Sequence, residues 1–146
     1  MKMIKRIPLM VLFFPIFLVA QNWETSYNNA LIKSKEEKKP IILVFAGSDW
    51  CAPCILLDNQ IWQSEEFKNF SKENYVLYKA DFPRKKANKL KTDLALQNGE
   101  LAKRYNPKGY FPLVVVLNQD ESILGTTGYK RKEPKAYIRL FNSFIE

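Results

Sequence analysis

Ile41-Ile42-Leu43-Val44-Phe45 is an unbroken apolar run, preceded by Pro40 and ended by Gly47-Ser48-Asp49. In a strand, neighbouring side chains point to opposite faces, so five apolar residues in succession need cover on both sides. Helices packed on each face of a sheet provide it. The rest of the chain supplies the pieces. Trp23, Tyr27, Ala30 and Leu31 recur at helical spacing and predict a helix from Trp23 to Lys38. Another begins near Cys51, with Pro53 in its first turn, where the missing N–H has no partner to lose. It carries Leu57, Ile61 and Trp62, and Ser64-Glu65-Glu66 caps a further stretch through Phe67 and Phe70. Tyr75 to Ala80 reads as a second strand. Lys85 to Arg104 reads as a polar helix with Leu90, Leu94 and Leu101 on one face, and Asn98-Gly99 is a candidate interruption. Leu113 to Leu117 and Ser122 to Thr126 are two more strands joined by a short turn, and Pro134 opens a closing helix. The order α-β-α-β-α-β-β-α predicts an α/β fold, a central mixed sheet of four to five strands flanked by helices.

The first 20 residues read differently. Lys2, Lys5 and Arg6 precede an apolar stretch from Ile7 to Ala20, the pattern of a secretory signal peptide cleaved after Ala20. The run is shorter than a membrane span requires and holds Pro8 and Pro15; an uncleaved anchor is the alternative. Gln21 stands where a lipid-bearing Cys would be needed. The expected organisation is a signal over 1–20 and one domain over 21–146, in a periplasmic or secreted protein. Without residues 1–20 the net charge falls from +8 to +5, a moderate surplus that suits solubility, with acidic partners or a membrane surface as the alternatives.

The chain has two cysteines, Cys51 and Cys54, and no histidine. Without histidine, Ser-His-Asp and Cys-His nucleophilic catalysis are excluded. Three readings of the pair compete. A Cys-x-x-Cys zinc half-site needs four ligands, and no further Cys or His is present to complete one, so no metal or other cofactor is expected. A structural disulfide over so short a loop constrains the unfolded chain little. In a redox dithiol, Cys51 at a helix start faces solvent, where the dipole and free N–H groups stabilise its thiolate, and Cys54 lies one turn on to resolve a mixed disulfide. Arg84, Lys85, Lys86, Lys89 and Lys91 read as a solvated helix face; a docking or nucleic-acid patch is the alternative, without interleaved aromatic residues for base stacking.

Trp50-Cys51-Ala52-Pro53-Cys54 after an apolar strand, and Phe111-Pro112 before another, resemble the thioredoxin superfamily, in particular secreted bacterial thioredoxin-like proteins. The resemblance covers essentially all of 21–146 and implies a thioredoxin fold with an extra N-terminal helix. It implies a thiol–disulfide oxidoreductase whose catalytic residues, Cys51 and Cys54, form a reversible disulfide. Phe111-Pro112 should be a cis peptide opposite the dithiol, with Trp50, Pro53, Phe111 and Pro112 contacting substrate. Expected partners are protein thiols and disulfides and a membrane-bound electron donor, with no nucleic acid, and the chain should be a monomer. The alternatives are a disulfide oxidase or isomerase and a redox-inert binding domain. The oxidising members of the superfamily carry His between the cysteines; Ala52-Pro53 here points to a reductant. The family's buried acid, six residues before the first Cys, is replaced by Phe45, and Asp49 reads as an exposed loop acid.

Overall fold

The computed structural model describes residues 23–146. The expected signal segment and its cleavage point lie outside the described residues. Five helices and four strands follow one another as α1 (Tyr27–Glu37), β1 (Ile41–Ala46), α2 (Ala52–Leu57), α3 (Glu65–Asn74), β2 (Val76–Asp81), α4 (Thr92–Tyr105), β3 (Leu113–Leu117), β4 (Ile123–Thr127) and α5 (Pro134–Asn142). The sheet is mixed, in the order β2-β1-β3-β4, with β1 parallel to β2 and antiparallel to β3. Every residue of β1 is buried, as its continuous apolar run requires.

Alternation along β1 divides the core. Ile42, Val44 and Ala46 face α3, α5 and both cysteines, whereas Ile41, Leu43 and Phe45 face the layer that contains Tyr27, Leu101 and Tyr105. The first layer is strongly aromatic. Phe141 lies within 6.2 Å, ring centre to ring centre, of Trp62, Phe67, Tyr75 and Tyr137.

Three expectations change in detail. The first helix starts at Tyr27 rather than Trp23, because the Ser26 hydroxyl caps it by accepting the Asn29 N–H. Trp23 instead pairs with Leu77 at the outer edge of β2, and its ring packs edge-on against Trp62. The polar stretch after β2 is not one helix from Lys85. A short 3₁₀ turn, Lys86–Asn88, precedes α4, which opens only at Thr92. Asn98-Gly99 does not interrupt α4, and the reason is specific. Asn98 is buried, accepts the Tyr78 hydroxyl at 2.6 Å and donates to the Asp81 carbonyl at 3.1 Å, so its amide anchors the helix on β2.

Asn98→Ala should leave the Asp81 carbonyl without this partner and cost about 1–3 kcal/mol of stability in urea unfolding. A loss close to zero would mean that the amide does not anchor α4.

Candidate active site

The site grows from the end of β1. Register pairs Phe45 with Leu113, so Phe111-Pro112, just ahead of β3, lies at the same end of the sheet as the segment leaving β1. That peptide is cis, as expected, and Pro112 is buried. Beyond Ala46 the chain turns at Gly47, whose carbonyl accepts the Cys51 N–H at 2.9 Å. A Cβ on Gly47 would fall within the Trp50 indole, so glycine is what lets that ring lie flat against the turn.

Cys51 caps α2 and is joined to Cys54 in a disulfide, with Cα atoms 5.2 Å apart. Cys51 Sγ also accepts the Cys54 N–H at 3.3 Å, so the helix N-terminus is aimed at the first sulfur. Ala52 and Pro53 between them are exposed. The expectation that Cys51 faces solvent is not met in this oxidised state. Cys51 is 4% exposed and Cys54 5%. Both sit within the apolar layer, against which Trp50 and Phe111 pack.

Trp50 organises the rim. Its Nε1 donates to the Phe82 carbonyl at 2.7 Å, its ring meets Phe111 edge-on at 5.4 Å, and the Arg84 guanidinium lies 3.7 Å from the ring centre. Phe111 also packs against Phe82 at 5.5 Å. Trp50, Phe111, Pro112 and the cysteines are therefore brought together, while Pro53 projects outward beside them.

Beside the disulfide lies a cleft of about 250 Å³, lined by Cys54, Pro112, Val44, Ala46, Asp58 and Lys79 among others. Counting six residues back from Cys51 reaches Phe45, which faces the opposite layer; the β1 side chains on the dithiol face are Ile42, Val44 and Ala46, all apolar, of which Val44 and Ala46 line the cleft. The acid in the cleft is Asp58, which follows α2 in a wide π turn, Asp58–Trp62. Its carboxylate pairs with Lys79 of β2 at 2.6 Å. Sequence reading missed Asp58 and Lys79. The signals were there: Asp58 stands four residues after Cys54, on the same helix face, and Lys79 is a cation inside a buried strand.

Asp49 is a loop acid with a structural task. It accepts the backbone N–H of Arg84 and of Lys85, each at 2.9 Å, and the Asn88 side chain at 3.0 Å. These bonds, the Arg84 N–H first, hold its carboxyl down at about 2.

The thioredoxin-like family pattern matches residues 22–119. The chain belongs to that family. The disulfide bond reductase DsbH of Chlamydia pneumoniae is 36% identical over 132 residues, spanning 90% of this chain and 77% of that protein. A solved structure of a DsbH oxidoreductase, also 36% identical, matches with a TM-score of 0.81 over 90% of this chain and 89% of the other. The oxidised C-terminal domain of Neisseria meningitidis DsbD, 21% identical, matches at 0.57 over 85% of this chain and 98% of that one, and is alike in fold. The four-stranded sheet, its flanking helices and the added α1 make this thioredoxin-like chain a thioredoxin fold with an N-terminal helix.

A carboxyl lowered to about 2 lends its bonds fully above its ordinary value near 4 and loses them as pH falls through about 2. The Arg84 and Lys85 amide resonances should therefore titrate together with a midpoint near 2. Asp49→Asn should abolish that transition in an NMR titration.

Proposed function

We propose that this chain is a reductant of protein disulfides in the periplasm or outside the cell, reached through the signal at residues 1–20, with 21–146 as the working domain. The chain is a thiol–disulfide oxidoreductase. That class rests on the Cys51–Cys54 disulfide at the helix start of a thioredoxin fold and on the 36% identical disulfide bond reductase.

In the reducing direction the Cys51 thiolate attacks a client disulfide. The client S–S bond breaks; one client sulfur leaves as a thiolate and takes up a proton, and the other stays bonded to Cys51. Cys54 then gives up its proton and attacks Cys51 Sγ, which frees the second client thiolate and closes the Cys51–Cys54 disulfide. Two electrons have passed to the client; the proton from Cys54 and one from water complete its two thiols. A membrane-bound dithiol donor then reduces the pair again. Trp50, Pro53, Phe111 and Pro112 form the client-contacting rim, a role supported by their grouping around the disulfide, and the protein works as a monomer.

The observation that carries the direction is the burial of both cysteines in an apolar layer. Burial disfavours thiolates, and neither Ala52 nor Pro53 offsets it. A less stabilised reduced form makes the disulfide harder to reduce and the dithiol the better reductant. Asp58, in the same cleft as Cys54, is the acid placed to receive the Cys54 proton.

Equilibration with a thiol buffer of known potential should place the pair nearer the roughly −270 mV of thioredoxin than the roughly −120 mV of a strong oxidant. A value close to the latter overturns the direction. The class is tested by insulin reduction with dithiothreitol, where Cys51→Ala should fall to background; equal rates for variant and wild type would remove the enzymatic reading. Cys54→Ala should hold clients as mixed disulfides on Cys51.

Asp58→Asn should slow resolution of such a mixed disulfide on the order of tenfold near neutral pH. That is less than a full general base contributes, because the Lys79 left behind favours the thiolate. The deficit should shrink as rising pH ionises Cys54 unaided. A deficit independent of pH would assign Asp58 to structure alone.

A further inference from the structure

The segment after β2 does not form the solvated helix face that its charge suggests. Because α4 opens only at Thr92, residues 82–91 fold back along the rim and enclose a groove of about 570 Å³, a size typical of binding clefts. Arg84, Lys85, Lys86 and Lys89 line it together with Leu90 and Leu96, the latter 64% exposed. Among the described residues none of these four cations has an ion-pair partner. The acid in the lining, Asp81, is already engaged through both oxygens by the Ser48 N–H and hydroxyl.

The groove is also joined to the redox site. Phe82 gives its carbonyl to Trp50 Nε1 and its ring to Phe111, and Arg84 lies over the Trp50 ring. Trp50 thus links the two, since it precedes Cys51 in the chain and touches Phe82 and Arg84 of the groove lining. The backbone carrying the charges is held in place, since Asp49 binds the Arg84 and Lys85 amides and Asn88 closes the 3₁₀ turn against it. A surface held in advance loses little freedom on binding, so its charge is available to a partner.

We propose that this groove docks an acidic, extended segment of the client polypeptide, lying a few residues along the chain from the cysteine that Cys51 attacks. The proposal rests on the oxidoreductase reading above. Four unpaired cations around an apolar floor suit carboxylates interspersed with apolar side chains. The concave shape suits a polypeptide rather than the flat face of an anionic membrane. The groove then sets which disulfides are reduced first, through rate of encounter, and the exchange chemistry stays with Cys51 and Cys54.

The test uses three peptides with one common core, each carrying a single cysteine as a mixed disulfide with thionitrobenzoate and followed by a run of Glu, Ser or Lys. Reduced protein should release the chromophore from the Glu peptide about tenfold faster than from the Ser peptide at low salt, and the Lys peptide should be slowest. The Glu-to-Ser ratio should fall toward one as salt rises from about 20 to about 300 mM, where charge is screened. In Lys85→Glu/Lys86→Glu/Lys89→Glu the ratio should drop below one; the milder Lys86→Gln/Lys89→Gln should lower it without reversing it. Equal wild-type rates for the three peptides, or a Glu advantage that survives both variants, overturns the docking site. Binding of the protein to anionic vesicles without any peptide preference counts against it in the same way. Failure to release chromophore from any peptide, Ser included, overturns the oxidoreductase reading instead.

Discussion

The pairing of β1 with β3 is the constraint on which the rest depends. Because the two strands run antiparallel with Phe45 opposite Leu113, the end of one and the beginning of the other meet at a single edge of the sheet. Cys51 emerges from the first and Pro112 leads into the second, so residues about sixty apart in the chain become the two sides of one site. Both faces of β1 are sealed by helices, which fixes that edge against movement. A small rigid sheet therefore carries the exposed turn, and Gly47 allows Trp50 to close over it.

Around the disulfide, two electrostatic effects oppose one another. The start of α2 and the Cys54 N–H favour negative charge on Cys51, while the apolar layer disfavours it on either sulfur. No imidazole between the cysteines tips the balance toward the thiolate. The acid that shares a cleft with Cys54 comes from the π turn that follows α2 rather than from β1, and it is already paired with Lys79. The Asp58–Lys79 pair and the start of α2 thus reach the disulfide from different sides, as separate sources of charge.

Much of this was legible beforehand. The doubly covered strand, the dithiol at a helix start and the mixed sheet follow from local patterns whose physical meaning depends little on context, and the cis proline followed from the family resemblance alone. The misses share one cause. Six residues before Cys51 is a count along the chain, yet strand alternation sends Phe45 to the far layer. Asn98-Gly99 looks like a break until the buried amide finds Tyr78 and the Asp81 carbonyl. Arg84 to Lys91 looks like a helix face until Asp49, 35 residues before Arg84, captures the Arg84 and Lys85 amides.

The sequence alone determined the chemistry. With two cysteines and no histidine, the Trp-Cys-Ala-Pro-Cys motif after an apolar strand leaves disulfide exchange as the reaction the chain can perform. Those are statements about which groups exist and how near they are in the chain; composition and short spacing narrow the choice, and the resemblance to the thioredoxin superfamily points to exchange. Only the tertiary structure decided how far the sulfurs are buried, which acid shares a cleft with Cys54, and that a run of cations lines a groove whose Phe82 and Arg84 touch Trp50. Each of these depends on side chains distant in sequence meeting across the sheet, and strand register, not spacing, controls such meetings.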